Sequence, residues 1–149
     1  MTPAARLARA TDLSELLGLF DASEVSQSAQ PLSRAEQIWR EMLARPGVSI
    51  FVSEAGQSIV ATCMLIVAPN LLRSGRQHGF IENVVTHPSV RGQGHGSAVL
   101  AAALEQAWRE DCHHVLLQSG RPDPRVHAFY EKAGFVPGFR MAYAAMRPS

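Results

Sequence analysis

The order of periodicities along the chain predicts an α/β fold built on a mixed, mostly antiparallel sheet flanked by helices. Three observations carry this. Two amphipathic helical stretches open the sequence, a run of β-branched and apolar segments fills Val48 to Thr86, and beyond Pro88 helix and strand patterns alternate.

Ala5 to Ala10 (ARLARA) reads as an edge strand. Thr11 or Asp12 then caps a helix, since a short polar side chain satisfies the free amides of a first turn. Leu13, Leu16, Leu17 and Phe20 follow at i, i+3, i+4 and i+7, one apolar helical face. Ser33-Arg34-Ala35-Glu36 has capping-box spacing and opens a second helix. Ile38, Trp39, Met42 and Leu43 supply its buried side, and Pro46-Gly47 ends it. Val48 to Glu54 alternates as a strand, Gly56-Gln57 makes a turn, and Ser58 to Ala68 is a second strand. After a loop from Pro69 to Arg76, Gly79 to Thr86 completes an antiparallel meander. A helix from about Gly94 to Glu110 buries Val99, Leu100, Ala103, Leu104, Ala107 and Trp108. His114 to Gln118 is a short strand, Pro124 to Ala133 a helix stopped by Gly134, and Phe135 to Ala145 the last strand. No linker, repeat or low-complexity block interrupts this order, so residues 1–149 read as one domain.

Composition bounds the function. With 46% hydrophobic and 18% charged residues the chain folds around a real core. A formal charge of +1 gives no broad electrostatic reason for a nucleic-acid partner, although a local basic pocket for a phosphorylated ligand stays compatible with it. Cys63 and Cys112 lie far apart, outside any Cys-x-x-Cys spacing, and read as reduced and partly buried thiols. No apolar run is long enough for a membrane span or resembles a signal peptide, so the expected location is cytoplasmic and no membrane partner is expected.

The chemistry concentrates in Ile81-Glu82-Asn83-Val84-Val85-Thr86-His87-Pro88-Ser89-Val90-Arg91-Gly92-Gln93-Gly94-His95-Gly96-Ser97, where a strand meets a long helix through a glycine-rich turn. Free N–H groups at a helix start form a partly positive concavity suited to phosphate oxygens. Glycines at 92, 94 and 96 let backbone approach an anion closely, and Arg91 adds a fixed charge. A P-loop would need Lys followed by Ser or Thr, and a dinucleotide fingerprint would need G-x-G-x-x-G; neither is present, because Ser97 stands three after Gly94. A plain tight turn is the remaining alternative, against which the Arg91-x-x-Gly94-x-Gly96 spacing between strand and helix weighs.

Val84-Val85-Thr86-His87-Pro88 followed by Arg91-Gly92-Gln93-Gly94-His95-Gly96 resembles the acetyl-CoA-binding motif of the GNAT N-acetyltransferase superfamily. His127-Ala128-Phe129-Tyr130-Glu131-Lys132-Ala133-Gly134-Phe135 is similar to the second signature of that family, F-Y-E-K-x-G-F. The resemblance implies a single-domain GNAT-like fold with a V-shaped splay between the central parallel strands, in which the pantetheine arm of acetyl-CoA lies. It implies backbone contacts from Val84 and Val85 and pyrophosphate contacts from Arg91, Gly92, Gln93, Gly94, His95, Gly96 and Ser97. Many relatives carry Asn near the start of the signature helix where Asp123 falls here, a departure that bears on one contact to CoA. His127, one turn before Tyr130, is a further candidate to orient Tyr130 or a CoA group, with a surface histidine as the alternative.

The implied activity is transfer of an acetyl group to a primary amine of a small molecule, of amino-sugar, amino-acid or polyamine class, by direct attack in a ternary complex. Glu82 is the candidate base, acting directly or through water; some relatives place an acid there, and partial burial beside Phe80 and Val84 is expected to tune it. An exposed strand carboxylate or an arginine partner is the alternative. Tyr130 is the family-matched acid for the departing thiolate, against a packed aromatic. A backbone N–H of Val84 or Val85 is the expected oxyanion donor. Among His87, His95, His113, His114 and His127 no pair has a metal-ligand spacing, and no metal is expected. Ser97 and Ser119 lack a His–Asp arrangement for an acyl-serine route. The acceptor pocket is expected from the opening helices, the Leu71-to-Gln77 loop and the C-terminal strands, with Arg73 and Arg76 as cations for an anionic acceptor. A non-catalytic acyl-CoA sensor and a protein or peptide acetyltransferase are the competing classes; a homodimer is common among such relatives.

Overall fold

The computed structural model describes residues 2–149. They form two compact units, one reaching to Leu117 and the other Gln118–Ser149. In the first, β1 (Ala5–Leu7), α1 (Leu13–Asp21), α2 (Leu32–Ala44), β2 (Val48–Ala55), β3 (Ser58–Ala68), β4 (Gln77–Thr86), α3 (His95–Arg109) and β5 (Cys112–Leu116) follow in order. The second contains α4 (Pro124–Lys132). The sheet runs β1-β2-β3-β4-β5, antiparallel up to β4 and parallel between β4 and β5.

Strand alternation divides the core into two layers. Ile50 and Val52 of β2 point to one face, where Leu16, Leu19 and Trp39 of α1 and α2 cover them together with Ile59 and Val85. Trp39 is 5% exposed and its indole N–H donates to the Ala10 carbonyl at 3.1 Å. Burying an aromatic of this size removes ~150–250 Å² from water, worth about 4–6 kcal/mol at ~25 cal/mol/Å². Ser53 points to the other face, as do Cys63 and Leu65 of β3, and α3 lies there: the Cys63 thiol donates to the Val99 carbonyl at 3.4 Å. Val99, Leu100, Ala103 and Ala107 form its fully buried stripe. Trp108, expected on that stripe, is 54% exposed. One position past Ala107, it is rotated about 100° away from the sheet.

Two predicted caps do not form. Asp12 precedes α1 without capping it; its carboxylate turns back to accept from the Arg9 N–H at 2.6 Å and from Arg6 Nη1 and Nη2 at 2.8 and 3.1 Å. Arg6 also donates from Nε to Glu54 Oε1 at 2.8 Å, joining β1 to the end of β2. A guanidinium fork offers an acid more than a helix amide does. Ser33 lies inside α2, whose N-cap is Pro31, and no side chain caps that helix. The last strand is the larger correction. Gly138 sits in a turn with φ 76°, and 135–149 forms no strand. Val136, Met141, Tyr143 and Met146 are between 77% and 89% exposed. An alternating sequence becomes a strand only where an edge pairs with it, and within its own unit this segment has none.

Asp12 is 7% exposed, and the hydrogen bonds from Arg6 hold its carboxyl below the usual carboxylate range. The contribution is therefore complete above the unfolded value near 3.8 and is lost as pH falls through the depressed folded value. Asp12→Asn should cost about 1.5–3 kcal/mol at neutral pH, the range for hydrogen bonds to charged groups. Thermal melts at pH 7 and pH 3 check this: the variant should lose less stability on acidification than the wild type, and equal losses would refute the assignment.

Candidate active site

The site begins with two interruptions in β4. The parallel ladder with β5 runs from Gln77 opposite Cys112 to Phe80 opposite Leu116 and stops there. From Ile81 to Thr86, β4 has no β5 partner, so the two parallel strands part in a V. On its other side β4 pairs with β3 at Met64–Glu82 and next at Thr62–Val85, leaving Cys63 opposite two residues, Asn83 and Val84. Asn83 absorbs this β-bulge at φ 53°, a left-handed conformation that Asn tolerates better than most side chains.

The bulge reverses the strand's parity. Met64 and Thr62 share a face, so Glu82 and Val85 also share it although they are three residues apart. Val85 is buried in the cluster under α1 and α2, and Glu82 is exposed. The partial burial expected of Glu82 is thus absent, because the inward place on that face has passed to Val85. Val84 is half-buried. Met64, opposite Glu82, lines a cleft of about 230 Å³ between β3 (with Ile66) and α2 (Ile38, Glu41, Met42 and Arg45).

Beyond β4 the chain is held by short local bonds. His87 Nδ1 accepts from the Ser89 N–H at 3.1 Å, the Val90 N–H donates to the His87 carbonyl, and the Gln93 N–H donates to the Val90 carbonyl. Gly92 and Gly94 follow with φ of 80° and 97°. Gly94 is the N-cap of α3, and no side chain caps the helix. Its first internal bond is from the Ala98 N–H to the Gly94 carbonyl at 3.0 Å, so the amides of His95, Gly96 and Ser97 form the open helix start. Arg91, Gly92, Gln93 and Ser97 are exposed around it, whereas His95 and Gly96 are buried. The His95 side chain turns into the fold, with Nδ1 2.8 Å from Ser53 Oγ, so only its backbone faces the turn. An uncapped helix start, two left-handed glycines and an exposed arginine fit a pyrophosphate, and the open β4 edge beside them fits an amide-bearing arm.

The remaining candidates belong to other elements of the chain. Arg73 and Arg76 are exposed in the β3–β4 loop, and Arg76 Nε pairs with Asp111 Oδ1 at 3.4 Å. In the second unit Asp123 caps α4: its carboxylate accepts from the Arg125 N–H at 2.9 Å and from Arg125 Nη2 at 2.8 Å, and that side-chain bond first of all lowers its pKa. His127 is exposed, and the ring of half-buried Tyr130 meets Phe135 edge-on at 6.2 Å. Burial pushes the Cys63 thiol up to about 12, and burial, then Glu110 and Asp111, raises Cys112, so neither offers a thiolate nucleophile near neutrality. No cluster of metal-ligating side chains occurs among the described residues. Asn83 and Ser53 escaped the sequence reading. Asn inside a strand pattern was a usable sign of a bulge; Ser53 carried no local signal, since its partner is 42 residues away.

The sequence matches the acetyltransferase (GNAT) family over residues 13–135. It is 35% identical over 136 residues to a glucosamine 6-phosphate N-acetyltransferase of Trypanosoma brucei brucei, covering 87% of this chain and 86% of that protein. A solved chain from Agrobacterium tumefaciens str. C58 carrying an acetyltransferase name superposes with a TM-score of 0.89 at 40% identity, over 97% of this chain and 99% of that one. A Trypanosoma brucei acetyltransferase superposes with a TM-score of 0.77 at 29% identity, over 99% of both chains. The chain belongs to the GNAT acetyltransferase family and is an acyl-CoA-dependent N-acetyltransferase.

Proposed function

We propose that this enzyme acetylates the amine of an amino sugar, with glucosamine 6-phosphate as acceptor and acetyl-CoA as donor. The observation that carries the acceptor is the 35% identity, over 87% of the chain, to a relative named for that reaction. Two features of the site support it: exposed Glu82 lies opposite Met64 of the α2–β3 cleft, and Arg45 of that cleft offers an anionic acceptor a positive charge. All of 1–149 is taken as one acetyltransferase domain, an assignment supported by a family match that crosses Leu117.

Arg91 through Ser97 hold the pyrophosphate, chiefly through backbone N–H groups. Glu82 takes a proton from the amine, directly or through water, because an ammonium has no lone pair and the amine attacks only when neutral. The nitrogen lone pair forms the new C–N bond at the thioester carbonyl, and an N–H of Val84 or Val85 donates to the developing oxyanion. The bulge at Asn83 supports that role, since it interrupts the β3 ladder beside these amides. The adduct nitrogen sheds its second proton to solvent as the C–S bond breaks, and Tyr130 is assigned, on its motif, to return a proton to the thiolate. Asp123 and His127 are assigned to the CoA-binding set on the same motif. A homodimer is assigned as the assembly, supported by the exposed Met141, Tyr143 and Met146.

Thiol release should proceed with a kcat/KM at least tenfold higher for glucosamine 6-phosphate than for spermidine or a peptide amine; equal rates would end the acceptor assignment. With that substrate Glu82→Gln should lower kcat about 10²-fold or more, and Tyr130→Phe should lower kcat while sparing the KM for acetyl-CoA. Unchanged turnover in either variant removes that residue from the chemistry. Gly94→Ala places a Cβ in ordinary contact with Pro3, at 3.5 Å, but at φ 97°. The left-handed cost of about 1–2 kcal/mol should weaken acetyl-CoA binding about tenfold by calorimetry, and undiminished affinity would detach CoA from this turn. Light scattering at micromolar chain should give twice the monomer mass, and a monomer would dismiss the dimer.

A further inference from the structure

The turn that meets the pyrophosphate has little of its own to keep it in shape. Two of its residues are left-handed glycines, and Arg91, Gln93 and Ser97 are exposed. Amides aimed at an anion bind it well only when their directions are fixed beforehand, because ordering a flexible loop on binding consumes part of the affinity. Between Arg91 and Ser97 only one side chain enters the interior, that of His95 at 7% exposure. It stands at the first position of α3 and shares a 2.8 Å hydrogen bond through Nδ1 with Ser53 Oγ.

Ser53 is an unusually firm anchor. It is 1% exposed, sits inside β2 with Ala5 of β1 and Ala61 of β3 as its neighbours in register, and immediately precedes a register shift in which Val60 of β3 is the extra residue. Neither side chain is among the buried groups left without a partner, so the pair satisfies itself. Removing one member strands the other in the interior at a cost of a buried unpaired polar group. The turn can relieve that cost by rotating His95 outward, which would carry the Gly94 and Gly96 amides with it.

We infer that Ser53 and His95 are positioning residues for the donor: their hydrogen bond fixes the first turn of α3 in the form that binds the CoA pyrophosphate, and so sets acetyl-CoA affinity. This inference rests on the placement of the pyrophosphate at Arg91–Ser97 proposed above. Neither side chain touches the donor; both act through the backbone of 94–97.

The test is acetyl-CoA calorimetry on the full chain, combined with steady-state kinetics. His95→Asn keeps an amide group near the place of Nδ1, whereas His95→Gln carries its amide farther out, near the place of Nε2. Ser53→Ala and His95→Gln should each raise the acetyl-CoA Kd about tenfold, the double variant should be little worse than either single one, and His95→Asn should recover most of the affinity. For Ser53→Ala the KM for acetyl-CoA should rise while kcat at saturating donor and the KM for the amine stay within about twofold. Ile50→Val, buried on the opposite face of the same strand, serves as the stability control: a comparable fall in Tm should leave the Kd unchanged. Wild-type affinity in both Ser53→Ala and His95→Gln, additive effects in the double variant, or a matching Kd loss in Ile50→Val would overturn the inference. A wild-type chain that binds no acetyl-CoA would instead overturn the placement of CoA on which it rests.

Discussion

The structure depends on a division of labour along β4. Its first half is an ordinary interior strand, hydrogen-bonded to β3 on one side and to β5 on the other as far as Phe80. Its second half gives up β5 altogether and, at Asn83 and Val84, breaks step with β3. Unpaired backbone inside a protein is costly unless another partner takes its place. A strand that ends its parallel pairing halfway therefore leaves an edge suited to a partner with amide groups, and a pantetheine arm has them. The paired half fixes the position of that edge, and the bulge fixes which side chains accompany it.

The glycine turn follows from the same arrangement, because the strand that opens also leads into α3. A turn that presents N–H groups to an anion needs left-handed residues, and Gly92 and Gly94 meet that need at φ 80° and 97°. Glycine supplies freedom where the ligand needs rigidity. The buried His95 side chain, bonded to Ser53, ties the start of α3 to the sheet without placing a Cβ on the open face of the turn. Conformational freedom in the backbone and constraint in one side chain are separate assignments here, made at adjacent positions.

Most elements of the first unit were legible because each is written in local periodicity: β3 spans Ser58–Ala68 as read, and α3 and β4 differ from the reading by one or two residues at their ends. The glycine turn was legible because left-handed backbone favours glycine, and it does so here at 92 and 94. What escaped depended on partners distant in sequence. Asp12 reads as a helix cap until Arg6 and Glu54 are brought beside it. Glu82 reads as partly buried until the bulge transfers the inward position to Val85. His95 reads only as part of the glycine turn until its ring is found on Ser53, 42 residues away. Residues 135–145 alternate like a strand, yet a strand is a property of a pair, and the sequence of one segment does not supply the other.

The exposure of Glu82 has a chemical logic once the bulge is taken into account. In an unbroken strand Glu82 would share its face with Val84 and Thr86, and the inward packing of that face would pull the carboxylate down with it. The extra residue lets Val85 take up the packing beneath α1 and α2 while Glu82, in register opposite Met64, stays exposed. Under the proposed role of Glu82 as base, an exposed carboxylate is hydrated until an acceptor covers it, and the loss of water then makes it a stronger base. A buried carboxylate would pay that desolvation cost permanently and lower the stability of the free enzyme. One inserted residue thus gives the packing duty on that face to Val85 and leaves Glu82, which shares the face, exposed.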